Sequence, residues 1–125
     1  MQAYTLENAF KMNRLHPDTF GIPGDEELAS IREGTFLKVC ANFDIETVLP
    51  GVGDPPERFM WEMKVGKKVA DKIGAERFWV KVLSIQPPTY LCEVANDLVY
   101  TKHHGLYEKV RITVEPKHIL GVLNE

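Results

Sequence analysis

Two cysteines in 125 residues, Cys40 and Cys92, are too few for a disulfide framework. Each lies in an apolar, strand-like run, where a free thiol behaves as a small hydrophobe and not as a low-pKa nucleophile. Long apolar stretches are lacking as well. None approaches the roughly 18–20 residues of a membrane span, and the opening MQAYTLENAFKMNRLHP carries no continuous apolar core of the kind a secretory signal needs. These absences predict a cytoplasmic protein that does not enter a membrane. Motifs for cofactors and nucleophiles are missing too. Gly51-Val52-Gly53 stands without the rest of a phosphate-binding loop, and there is no G-x-S-x-G elbow. The histidines are His16, His103, His104 and His118, and none shares zinc-finger spacing with a cysteine. On a strand the adjacent His103 and His104 would point apart. Carboxylates are plentiful, but none falls on an evident apolar face. The expectation is no metal, no cofactor and no catalytic residue, with an enzyme whose site assembles only in three dimensions kept as an alternative.

What is present is ordinary globular composition: 44% hydrophobic and 26% charged residues, enough in a chain of this length for one domain with a real core. The net charge of −3 argues against nucleic acid as the main partner. Charge is uneven, however. Residues 1–56 hold four Lys/Arg against nine Asp/Glu, and residues 57–125 hold eleven against nine. The basic excess gathers at Lys64, Lys67, Lys68 and Lys72, which read either as a solvated helix face or as a patch able to meet phosphate.

Glu76-Arg77-Phe78-Trp79-Val80-Lys81-Val82 is the clearest strand. Phe78, Val80 and Val82 alternate with Arg77, Trp79 and Lys81, the pattern of an antiparallel strand with one face on a core. Trp79 breaks the polar side. It either covers a small second cluster with Leu83 and Ile85 or serves as an exposed aromatic anchor.

Around this strand the chain reads as follows. Leu6, Ala9, Phe10 and Leu15 outline a short amphipathic helix. Asp25–Ile31 predicts another, with acids in its first turn and Gly34 beyond its end. Thr35–Ala41 is a strand with Leu37, Val39 and Ala41 on one side. A long connection rich in Pro and Gly follows, with Ile45, Thr47, Val48 and Leu49 as a brief extended piece. Residues 57–73 admit two readings. At period two, Phe59, Trp61, Met63 and Val65 align. At helical period Phe59, Met60, Met63, Ala70 and Ile73 align, and Asp54-Pro55-Pro56-Glu57 supplies a capping box with Gly74 as the stop, which favours a helix over about 55–73. Pro87-Pro88 turns the chain into a strand at Tyr90–Asn96. Leu98–Tyr100 is a short extended piece, Lys102–Gly105 a turn and Val110–Val114 a strand. Ile119–Leu123 returns to the core. Short strands with tight turns predict an α+β fold, mainly β: a small curved antiparallel sheet or SH3-like barrel. Its layout is a single domain, with an N-terminal arm and short helix over 1–34 and a barrel over 35–125 interrupted at about 43–75.

The order of these pieces resembles uncharacterised bacterial small-barrel families, domains of unknown function, that carry an E-R-x-W-V-x-V strand. The matching residues are Glu76–Val82, then Glu93-Val94-Ala95-Asn96-Asp97, then Val110-Arg111-Ile112 leading to His118-Ile119, with Gly34–Val39 also similar. Two departures stand out: Glu108-Lys109 replaces a Gly-Asp pair before the last strand, and 43–75 has no counterpart. The resemblance implies a small non-enzymatic domain, some of whose relatives are encoded near toxins or on mobile elements, and it carries over no catalytic residues. The resulting expectation is a protein-binding module, an inhibitor or immunity-type protein of bacterial or phage origin, with another protein as its partner. Its surface would be drawn from Trp79, Lys81, Asn96, Asp97, Tyr100, His103 and His104, interfaces being rich in such aromatics. For the last residues the plain alternative is that Asn96 and Asp97 form a turn and His103 and His104 sit in a solvated loop. The rival function is a nucleic-acid-associated barrel using Lys64–Lys72 and Trp79.

Overall fold

The computed structural model describes residues 3–18, 20–49 and 73–124. The predicted fold class is what these residues form: a curled, mainly β half-barrel with three short helices. In chain order the elements are β1 (Tyr4–Leu6), α1 (Ala9–Leu15), α2 (Asp25–Ala29), β2 (Phe36–Asp44), β3 (Ile73–Gln86), β4 (Thr89–Val94), α3 (Thr101–His104), β5 (Arg111–Val114), a 3-10 turn (Pro116–His118) and β6 (Gly121–Leu123). All neighbouring strands are antiparallel, in the order β1-β2-β3-β4-β5, and β6 pairs with β2.

Two strands produce the curl, because each is shared. The first part of β3 pairs with β2, from Ile73 opposite Asp44 to Lys81 opposite Phe36. Its second part pairs with β4, from Val80 opposite Val94 to Gln86 opposite Thr89. β3 therefore passes from one neighbour to the next near Val80, with an irregularity between Val82 and Ser84 on the β4 side. β2 is shared along its other edge: β6 lies against Phe36–Lys38 and β1 against Ala41–Phe43, end to end.

Alternation decides the inner face. Leu37, Val39 and Ala41 of β2, Phe78, Val80 and Val82 of β3, Cys92 and Val94 of β4 and Ile112 and Val114 of β5 are all buried. Full burial of one such aliphatic or aromatic side chain contributes about 1.5–3 kcal/mol. Ile31, just beyond α2, and Ile119, just before β6, join the same core. A buried Thr35 hydroxyl ties the two ends of this region together. It donates to Asn124 Oδ1 at 2.5 Å and accepts from the Arg32 N–H at 3.0 Å.

Several sequence expectations need correction. The N-terminal arm contributes a strand at Tyr4–Leu6, so Leu6 lies outside α1, and of the predicted apolar stripe only Ala9 is buried while Phe10 and Leu15 are exposed. Residues 98–100 are not extended ladder, and 102–105 are not a simple turn: Thr101–His104 form a helical turn closed by Gly105 in the left-handed region at φ 79°. Residues 44–47 are a turn in which Asp44 accepts from Glu46 N and Thr47 Oγ1 at 2.8 and 3.0 Å, so the extended piece predicted at 45–49 does not form as strand. The predicted helix over 55–73 lies outside the described residues except at its last position, and Ile73 opens β3. Gly74 is no helix stop. It sits in β3 opposite Phe43, where a Cβ would come within 2.5 Å of Ile45 Cγ2 and 2.6 Å of the Phe43 ring. Because Asp44 and Ile73 face each other across the ladder, the connection between them leaves and rejoins the sheet at one place. Among the described residues no helix is long and apolar enough to cross a membrane.

Candidate functional site

The seven residues expected on one surface are divided by the fold between two places. Trp79 and Lys81 lie on the outer face of β3, and Asn96 and Asp97 follow β4 beside them. Tyr100, His103 and His104 belong to the packed end of the half-barrel. Lys64, Lys67, Lys68 and Lys72 lie outside the described residues.

At the packed end, the helical turn α3 folds against β2. His103 and His104 are only 1% and 2% exposed, so they are not solvated loop residues. Phe43 lies at the centre of this end, stacked on His103 at 5.9 Å between ring centroids, edge-on to His104 at 5.2 Å and tilted against Tyr100 at 5.2 Å. The void left by Gly74 admits that ring. Glu76 follows on the same face. Its carboxylate accepts from the N–H groups of Val99 and Tyr100 at 2.7 and 3.0 Å and from His104 Nε2 at 2.9 Å. His104 Nδ1 in turn accepts the Leu106 N–H at 3.0 Å, which places the ring proton on Nε2. Burial by itself would raise the Glu76 carboxyl, but the hydrogen bonds from His104 and the two backbone N–H groups outweigh it and hold the carboxyl below its ordinary value. Both imidazole nitrogens of His104 are thus engaged and its side chain is fully buried. This pair fastens the 99–106 segment to β3. Glu76 is thus a carboxylate on an apolar strand face, where the sequence pattern predicts none.

The thiols are equally closed. Burial pushes Cys92 up to about 12 and raises Cys40, whose neighbour Glu7 adds to the effect while Arg77 opposes it. Cys92 is on the inner face. Cys40 is on the outer one, opposite Arg77 in the ladder, and the Arg77 guanidinium is capped by Phe20 at 5.3 Å.

The outer face at Trp79 is different. Trp79 is half-buried, and Ile85, expected beside it with Leu83, lies on the other face. An irregularity between Val82 and Ser84 shifts the register by one residue, so Ile85 pairs with Tyr90, whose ring packs on the core, and falls on the opposite side. Trp79 is instead framed by other strands. Phe36, Ala95, Asn96 and Leu123 join it around an outward-facing, mostly apolar cleft of about 230 Å³. Asn96 holds the wall in place. Its Oδ1 accepts the Trp79 N–H at 2.8 Å, its Nδ2 donates to the Asp97 carbonyl at 3.0 Å, and the Ala95 N–H donates to the Trp79 carbonyl at 2.9 Å. Asn96 thereby continues the β3–β4 ladder with a side chain in place of backbone. Lys38 stands opposite Trp79, with Nζ 6.0 Å from the ring centroid, and Lys81 stands opposite Phe36. Asp97 is exposed at the margin.

Two other clefts are described. One of about 320 Å³, where β1 and β5 fail to meet, is lined by Tyr4, Thr5, Leu6, Thr89, Thr113, Glu115 and His118. Its imidazole is turned to its own turn, with His118 Nδ1 accepting the Glu115 N–H at 3.0 Å, and burial lowers its pKa against the nearby Glu115. The second, of about 240 Å³, lies beside Tyr4, Phe43 and Ile73. Among the described residues no cluster of three or more His, Cys, Asp or Glu is arranged to hold a metal ion. No family model, curated protein or solved structure gives a significant match to this chain. The sequence reasoning missed Phe36, Lys38 and Leu123, because only the strand register brings them to Trp79.

Proposed function

We propose that the protein is a non-enzymatic protein-binding module that engages its partner through the outer face of β2 and β3, centred on Trp79. The observation that carries this reading is the half-buried Trp79 ring beside an outward-facing apolar cleft that no described segment fills. Large aromatics at the edge of such a pocket are favoured anchors in interfaces. The passage from β5 through a 3-10 turn into β6, which returns to pair with β2, supports the finer description of an SH3-like barrel. Similarity of the Glu76–Val82 and Glu93–Asp97 motifs to small bacterial domains of unknown function supports an inhibitor or immunity-type role in the cytoplasm of a bacterium or an infecting phage's host.

Photo-crosslinking in bacterial cells tests the reading. A benzoylphenylalanine at Asp97, beside the cleft, should trap a discrete protein, and adding Trp79→Ala should abolish the adduct. The same probe at Glu26 on α2 serves as the control. Equal trapping at both positions, or an adduct that survives Trp79→Ala, would sink the proposal.

A further inference from the structure

We infer that the Trp79 face takes an acidic protein segment bearing one large apolar side chain; this rests on the reading of that face as a protein-binding surface. Its basis is a block of four side chains set by strand register. Phe36 faces Lys81 and Lys38 faces Trp79, so two aromatic rings and two ammonium groups alternate on neighbouring strands. Directly paired side chains stand about 5 Å apart, which makes the block a single contact unit. The next strands continue the charge. Glu93 is opposite Lys81, and Arg111 is opposite Glu93. Lys109 reaches Glu93 from the turn before β5, Nζ to Oε1 at 3.7 Å, which offsets the carboxylate inside the ladder. Among the described residues Lys81 and Arg111 make no ion pair. Glu108 lies in the turn before β5, and Asp97 stands at the cleft margin next to Asn96, so the positive excess lies toward Lys38, Lys81 and Arg111.

This cationic face belongs to a chain whose net charge is −3, so its sign is opposite to that of the whole. A partner segment rich in Asp or Glu would be steered to this face and away from the acidic first turn of α2, with Asp25, Glu26 and Glu27. The apolar half of the recognition follows from the cleft, whose walls of Leu123, Ala95, Phe36 and Trp79 suit an aliphatic or aromatic side chain. They suit a stacked base less well. The Lys38 ammonium already lies over the Trp79 ring, and the backbone at Gly121 lies against its edge, since a Cβ there would be 3.9 Å from Trp79 Cη2. Lys109 adds an independent sign. It holds φ 80°, a left-handed conformation that a side-chain-bearing residue adopts at a cost, and it holds it where its ammonium joins this face.

Selection of a random displayed 12-residue peptide library on the intact protein tests the inference, followed by titration of fluorescein-labelled synthetic winners. Winners should place Asp or Glu next to Leu, Ile, Phe or Trp. Their affinity should fall about thirtyfold or more in Trp79→Ala, the scale of a loss at an interface centre. It should fall about tenfold in the K38E/K81E double variant and with added salt, as charge pairing requires. Circular dichroism melts verify that both variants fold, and Lys81→Gln alone serves if the double variant does not. Winners that depend on Trp79 but show no acidic bias, or that bind K38E/K81E equally well, would overturn the acidic partner and leave the protein-binding reading standing. Absence of any Trp79-dependent winner would overturn both. Tighter, Trp79-dependent binding of a mixed-sequence single-stranded DNA 12-mer would also overturn it, reassigning the face to nucleic acid.

Discussion

Glu76 and Trp79 are three residues apart on one strand and meet opposite surroundings. Odd spacing puts them on opposite faces of β3. Glu76 turns inward to a closed array, with three N–H donors on its carboxylate and a fully buried His104 beside it. Trp79 turns outward to a cleft bounded by residues from four separate stretches of chain. Both places combine aromatic rings with charge, and composition alone would not separate them. The difference is satisfaction. At Glu76 every polar atom of the pair has a partner, so the array stores its interaction energy internally as fold stability. At Trp79 the apolar cleft and the Lys81 ammonium face outward, while the Lys38 ammonium lies over the ring at the cleft's side.

The comparison can be broken most forcefully at Glu76. Glu76→Ala leaves the Val99 and Tyr100 N–H groups and His104 Nε2–H without an acceptor, and should cost about 3–5 kcal/mol in urea denaturation. The wild-type carboxyl is held below its ordinary 4.5, so its contribution is complete above that pH and is lost as pH falls through the lowered folded value. Stability should therefore drop in acid for the wild type, and the part of this drop due to Glu76 should vanish in the variant. Gly74→Ala is expected to cost about 1–3 kcal/mol, because the new methyl group must displace the Phe43 ring and Ile45. Trp79→Ala should reverse the pattern: about 1 kcal/mol of stability at a half-exposed position, but most of the partner binding. A melt that shows Trp79→Ala to be as damaging as Glu76→Ala would erase the distinction between the two places. Lys109→Gly should have the opposite sign, stabilising by about 0.5–1 kcal/mol as the positive φ becomes free of strain, less the entropy that glycine adds to the unfolded chain. The smallest effect concerns the thiols. With its pKa pushed up to about 12, Cys92 should resist alkylation at pH 8 in the native protein and react once urea unfolds it.

Much of this architecture was legible in strand alternation. Period two alone puts Phe78, Val80 and Val82, with Leu37, Val39 and Ala41, on inner faces, and these residues lie in the core, where Ile112 and Val114 of the last alternating strand join them. Three things were not legible, for separate reasons. One extra residue near Leu83 carries no compositional mark, yet it inverts every side chain after it, and it moved Ile85 away from Trp79. His103-His104-Gly105 reads as polar turn chemistry, and only tertiary packing against Phe43 buries it. Phe36, Lys38 and Leu123 reach Trp79 through pairing between distant stretches, which no local pattern encodes. Glu76 is the exception, since the alternation that placed Phe78 inward also placed Glu76 inward, and an acid there is a sign of a buried partner.

The shared edge of β2 has a kinetic meaning. β6 docks on Phe36–Lys38 from the far end of the sequence, and the Thr35–Asn124 hydrogen bond beside it closes a separation of 89 residues. Pairings of such range are entropically late, and sheets built from them fold on the order of milliseconds to seconds. Leu123 is one wall of the Trp79 cleft, so that cleft does not exist until β6 has zipped into place. A chain that has formed its β3–β4 hairpin but not docked β6 would lack the Leu123 wall of this cleft. On the proposed reading of this face, a ligand that needs the complete cleft would also report whether β6 has docked.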